Sequence, residues 1–99
     1  MHRLSSQGGD LIIALSGKFT HADYREFLDF TKDLDFTGKT RLIFELSELD
    51  FIDSGGVGML VMAADLCQKY NAEVVLQNSH GHVRTVIDNS NLAEVFTVS

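Results

Sequence analysis

Three strand-length apolar runs, separated by longer amphipathic stretches, constrain this chain more than any other feature. Leu11-Ile12-Ile13-Ala14-Leu15, Leu42-Ile43-Phe44 within Arg41–Leu46, and Glu73-Val74-Val75-Leu76 are short, continuous and rich in β-branched residues. Strands of this kind belong in a sheet covered on both faces. Between the first two, Thr20 stands as a helix cap with Asp23 three residues on, and Tyr24, Phe27, Leu28, Thr31 and Leu34 follow at helical spacing. Gly38 ends the loop after that helix. Ser47–Asp53 reads as a connection, Ser54–Tyr70 as a second helix, and Val83, Val86 and Ile87 as the apolar side of a third, capped by Asn78 or Ser79. Asn91 closes this third helix in the left-handed conformation, and Val95–Val98 is a final extended segment. At the other end, Gly8-Gly9 is a turn that lets Arg3–Gln7 pair antiparallel with the first apolar run. Alternating strands and helices predict an α/β domain with a mostly parallel sheet and right-handed crossovers.

The chain has 99 residues, which fits one domain spanning 1–99. Eight Lys and Arg against fourteen Asp and Glu give a net charge of −6, and an acidic surface repels phosphate backbones, so direct nucleic-acid binding is not expected. The longest apolar run, Val57–Ala64, is too short to span a bilayer, so no membrane insertion is expected. The single cysteine, Cys67, has no internal disulfide partner, and Met1–Asp10 has no hydrophobic signal core. A cytoplasmic domain is the resulting expectation.

Sites in such sheets lie where strand ends feed helix starts, and Asp50–Gly58 occupies such a place. Three glycines, Gly55, Gly56 and Gly58, crowd the first turn of the second helix, although each costs about 1 kcal/mol relative to alanine there. Either the helix packs tightly on the sheet, or another molecule must approach its backbone. Ser54 sits at or next to the N-cap. It is a structural cap on one reading and a phosphorylation site on the other. A phosphate there would face the positive end of the helix dipole and the first-turn amides, leaving the fold intact, while a docked partner would meet new negative charge in a dehydrated contact. At 100° per residue, Gly58, Asp65 and Lys69 share a narrow polar arc bordered by Val61 and Met62, with Leu60, Ala63, Leu66, Cys67 and Tyr70 opposite, toward the core. The candidate partner surface is therefore Asp53, Ser54, Gly55, Gly56, Gly58, Val61, Met62 and Asp65.

The chain resembles the STAS domain family, and within it the bacterial anti-sigma factor antagonists. The likeness rests on Leu11-Ile12-Ile13-Ala14-Leu15-Ser16-Gly17-Lys18-Phe19, on Leu49-Asp50-Phe51-Ile52-Asp53-Ser54-Gly55-Gly56-Val57-Gly58-Met59-Leu60, and on Leu92-Ala93-Glu94-Val95-Phe96. It implies a small mixed sheet packed with helices, and a role in partner switching. In that scheme the unmodified protein binds an anti-sigma factor of the serine-kinase type. The kinase phosphorylates the serine after the motif's aspartate, here Ser54 after Asp53, and a protein phosphatase reverses the modification. The family's usual Asp-Ser-Ser-Gly stands here as Asp53-Ser54-Gly55-Gly56, so the second hydroxyl is absent. The chain stops at Ser99, where many antagonists carry a further helix. The STAS subunit of a lipid-transport ABC complex has Asp-Thr-Gly-Gly and a similarly short end. An assembly subunit that is not phosphorylated is the alternative reading.

No catalytic constellation is expected. Ile52 stands where a hydrolase elbow needs its first glycine, and the glycine cluster lacks the spacing and lysine of a P-loop and the spacing of a dinucleotide fold. Leu15-Ser16-Gly17 follows the first buried strand where a receiver domain needs an acidic pair. His2, His21, His80 and His82 have no triad placement, and with one cysteine no metal site is read from them. Glu45, Glu48, Asp50 and Asp53 read as solvated acids, and Cys67 as a small buried hydrophobe. No cofactor is called for.

Overall fold

The computed structural model of the chain describes residues 2–99, and Met1 lies outside them. Five strands form one sheet in the spatial order β1-β2-β3-β4-β5. They are β1 (His2–Gln7), β2 (Asp10–Phe19), β3 (Arg41–Ile52), β4 (Glu73–Gln77) and β5 (Thr97–Val98). β1 is antiparallel to β2, and every later neighbouring pair is parallel. Helix α1 (Tyr24–Lys32) links β2 to β3, α2 (Ser54–Lys69) links β3 to β4, and α3 (Gly81–Asn89) links β4 to β5. Single 3-10 turns cover His21–Asp23 and Leu92–Glu94. This is the α/β architecture that the alternation of runs predicts.

Each new parallel strand is laid on the same side of the last. Crossovers of one hand then place their helices on one face of the sheet. A single core joins Leu11, Ile13, Leu15, Leu42, Phe44 and Leu76 of that face to Phe27 of α1, to Met59, Leu60, Ala63 and Cys67 of α2, and to Val83 and Ile87 of α3. The expectation that both faces would be covered is therefore corrected. Ile12, Ile43 and Val75 stand side by side on the opposite face and lie outside that core. Polar rows flank them: Arg41 donates to both oxygens of Asp10 at 2.8 and 2.9 Å, and Gln77 donates to Glu45 at 2.8 Å. Ile43 and Val75 are each only 5% exposed.

β3 is twice as long as the sequence suggests, and Ser47–Ile52 belongs to it rather than to a connection. The pairing with β2 steps from Ala14↔Glu45 to Ser16↔Glu48, and again from Gly17↔Leu49 to Lys18↔Phe51. Each step places one extra residue on β3, a β-bulge that reverses the in–out alternation. Leu46, Leu49 and Ile52 are all buried as a result, at a spacing of three that no period-two reading recognises as strand. Gly17, at the second step, has φ +72, a conformation that glycine adopts without steric cost.

Smaller differences have local causes. Asn78 is left-handed (φ 62), its amide donating to Glu45, so neither it nor Ser79 caps α3; His80 takes that place with extended backbone. Asn91 is left-handed (φ 56), as expected. Val95 is not extended but has helical backbone, because Leu92 and Phe96 both anchor in the core and the Phe96 amide donates to the Leu92 carbonyl at 2.8 Å. Tyr70 lies past the end of α2, exposed, and stacks on the core residue Phe36, 4.8 Å between centroids. Tyr24 also faces outward.

Cys67 is fully buried, and desolvation pushes its thiol up to about 11. At pH 8 it should react with an aromatic disulfide reagent only as fast as the chain opens, and at once in denaturant. Rapid modification of the native protein would contradict this packing.

Candidate functional site

The second bulge delivers the end of β3 to the start of α2, where the backbone turns sharply. Asp53 is the N-cap, with extended backbone (φ −108, ψ −177). Its Oδ1 accepts the Gly56 amide at 2.8 Å, and its carbonyl accepts the Val57 amide at 3.0 Å. Its Oδ2 accepts two further bonds from the 3-10 turn after β2: the His21 amide at 3.2 Å and the His21 ring Nδ1–H at 3.0 Å. One carboxylate thus ties two loops together. Partial burial pushes its pKa up, but the bonds from the His21 ring, the Gly56 amide and the His21 amide outweigh burial and hold it below the ordinary carboxylate value.

Because Asp53 does the capping, Ser54 does not. Ser54 is the first residue of α2, it is exposed, and among the described residues nothing bonds to its hydroxyl. The first turn of α2 carries no acidic side chain. The hydroxyl is therefore open to an approaching active site and faces the positive end of a sixteen-residue helix.

The three glycines divide. A Cβ on Gly56 would lie 2.3 Å from the Phe19 carbonyl oxygen and 2.7 Å from Ile52 Cγ1. One on Gly55 would lie 2.7 Å from His21 Cβ and 2.9 Å from its Cα. Both positions are consumed by packing inside the chain, and Gly56 is buried. Of the two readings of the glycines, tight packing accounts for Gly55 and Gly56, while Gly58 is exposed with open space where a Cβ would be. Gly58, Met62 and Asp65 are exposed, and Val61 is half-buried beside them. Together with Ser54 they form one outward stripe along α2, as their spacing predicts. Asp53 lies beneath its end, with its side chain 27% exposed.

Two histidines flank this helix mouth, and the sequence alone did not single them out. His21 touches both chain neighbours of Ser54: Asp53 by hydrogen bonds and Gly55 by packing. His82, in the first turn of α3, donates from Nε2 to the Ile52 carbonyl at 3.1 Å and stacks on Phe51 with 4° between the planes. His80 likewise donates to the Ser47 carbonyl at 2.8 Å. The one signal for His21 was its place directly after a buried strand and a capping threonine. Thr20 accepts the Ala22 amide, while Asp23 returns to the Thr20 amide at 2.9 Å.

Gly56→Ala should destabilise the fold by roughly 2–3 kcal/mol in urea titration, since the obstructing atom is backbone, whereas Gly58→Ala should stabilise by about 0.5–1 kcal/mol. Asp53→Ala should cost about 1 kcal/mol or more at pH 7, for loss of the cap and the loop clasp. The sign with pH follows from the depressed carboxyl: its contribution is complete above the unfolded value, near 3.9, and fades as pH falls through the lower folded one. The stability gap between the parent protein and Asp53→Ala should therefore narrow below about pH 4.

The STAS domain family model matches residues 3–99 of the chain. A STAS-domain containing protein of Pseudomonas aeruginosa (strain UCBPP-PA14) is 28% identical over 95 residues, covering 96% of this chain and 93% of that protein. BtrV of Bordetella bronchiseptica, which carries the name of a candidate anti-sigma factor antagonist, is 28% identical over 92 residues, 92% of this chain and 78% of BtrV. Among solved structures, the unphosphorylated anti-sigma factor antagonist SpoIIAA superposes with a TM-score of 0.80 at 22% identity, covering 100% of this chain and 88% of SpoIIAA. SpoIIAA of Bacillus in its phosphorylated form gives 0.72 at 21% identity, with 100% and 91% covered. With the family pattern running through nearly every residue and the same fold in SpoIIAA, the chain belongs to the STAS domain family.

Proposed function

We propose that this protein is a regulatory binding module of the anti-sigma factor antagonist kind, switched by phosphorylation of Ser54. It acts as the substrate of a kinase, not as a catalyst. The observation that carries the reading is the free, exposed Ser54 hydroxyl at a helix start whose cap is already supplied by Asp53. Unmodified, the stripe Ser54, Gly58, Val61, Met62 and Asp65 docks an anti-sigma factor of the serine-kinase type, with Asp53 fixing the backbone beneath it. The kinase transfers the γ-phosphoryl group of ATP to Ser54 Oγ. The O–H bond breaks, the O–P bond forms, and ADP and a proton leave. The amides of the first turn tolerate the new dianion, so the fold persists while the docked state does not. A phosphatase restores binding by hydrolysis.

The names of BtrV and SpoIIAA, and the existence of a phosphorylated form of SpoIIAA, support this assignment of class. No helix among the described residues is long and apolar enough to cross a membrane, in keeping with a module that meets its partners in solution.

Incubation with its kinase and ATP should add one phosphate to the parent protein and none to Ser54→Ala, as read by intact mass and site mapping. Equal modification of the two proteins would sink the reading. Ser54→Asp should weaken binding to the unmodified protein's partner by roughly tenfold or more, and less than the phosphate itself does. Absence of any modification, together with stable co-purification with a permease and an ATPase, would favour the constitutive assembly subunit instead.

A further inference from the structure

The contact between His21 and Asp53 has a consequence for the modified state. Nδ1 must carry its proton to donate to the Asp53 carboxylate at 3.0 Å, which fixes the tautomer and turns Nε2 away from that carboxylate. The imidazole is otherwise almost free, with its side chain 85% exposed. Its backbone packs on Gly55, and its ring and amide hold Asp53, so residues on both sides of Ser54 touch it. Phosphorylation of Ser54 would add a dianion on the residue next to Asp53, and the basic side chain bonded to the Asp53 carboxylate is that of His21.

We propose, building on the reading of Ser54 as the phosphoacceptor, that His21 is the intramolecular clasp of the phosphate: Nδ1–H stays on Asp53 while protonated Nε2 donates to a phosphate oxygen. The second ionisation of phosphoserine lies near 6, and a dianion and an imidazolium in contact stabilise each other's charged forms. The other charged groups around the turn do not replace His21. Asp23, within the turn, returns to the Thr20 amide, and Glu26 on α1 is held by His2 Nδ1 at 2.6 Å. Lys18 at the end of β2 and Arg25 on α1 are exposed, and the bonds to the Asp53 carboxylate come from His21 and Gly56. The first turn of α2 contributes no acid. On the other flank, His82 has Nε2 committed to the Ile52 carbonyl and one face against Phe51.

The test uses the full chain with phosphoserine installed at 54 during translation, which makes it independent of any kinase. Phosphorus NMR would follow the second ionisation of the phosphate at low salt, with and without His21→Asn. Asparagine retains an N–H for Asp53 and lacks the far nitrogen, so loss of the clasp is separated from loss of the cap. The phosphate of the parent protein should titrate about half a pH unit below that of His21→Asn, the scale of one exposed ion pair. The His21 Nε2 nitrogen shift should report protonation persisting to higher pH when the phosphate is present, a readout that needs no variant. Identical phosphate midpoints in the two proteins, or a His21 shift indifferent to phosphorylation, would overturn the clasp. Failure of a kinase to modify Ser54 would instead overturn the proposed function and leave these titrations intact.

Discussion

The Asp53 carboxylate is the constraint on which the rest of this site depends. It receives one N–H from α2 and two from the turn after β2, and these segments are thirty-odd residues apart in the chain. Three donors hold this carboxylate below its ordinary pKa, and each of those bonds is charge-assisted. The same oxygen atoms fix how close the two loops come. That distance leaves no room for side chains at positions 55 and 56. Cap and glycines are therefore one feature: the carboxylate sets the approach, and the missing methyl groups permit it.

This division of labour is what leaves a serine idle. At most helix starts the hydroxyl of a serine would be consumed by an amide two or three residues on. Here the preceding aspartate has taken that amide, so Ser54 contributes little to the fold and its oxygen is free to be changed. A modification at a group that carries no structural load alters the surface and not the stability. That is the property a reversible switch needs.

The architecture was legible in the sequence wherever period and propensity agreed. The β-branched runs at Leu11–Leu15 and Val74–Leu76 are strands, and the stripe on α2 faces outward where the helical wheel puts it. The second half of β3 was not legible, because its two bulges space Leu46, Leu49 and Ile52 by three, and a register shift is decided by the partner strand rather than by local sequence. The coverage of the sheet was misread for a related reason. A continuous apolar run looks two-sided, but here Ile43 lies on the face opposite the helix-covered core, between rows of polar residues. In the site, the motif Asp53-Ser54 falls at the start of α2, with Asp53 as its cap. The meaning of Gly55 and Gly56 depended on where Phe19 and His21 fall in space, and no spacing within the motif encodes that.

Charge alone would make a poor switch on such a surface. The chain is already at −6, and two more exposed negative charges in water interact weakly with a partner at physiological salt. The effect becomes large only where docking removes water. A dianion at the mouth of α2 keeps its solvation and its helix amides while the protein is free, and forfeits the solvation when a partner closes over Ser54. A desolvation penalty of even 3 kcal/mol lowers affinity more than a hundredfold. The stripe is suited to that logic, since Gly58 permits close approach and Val61 and Met62 offer apolar surface that excludes water. On the proposed function, the acceptor's exposure in the free protein and its burial in the complex are two halves of one mechanism. A serine at a site that stayed wet in the complex would be modified just as readily and would switch very little.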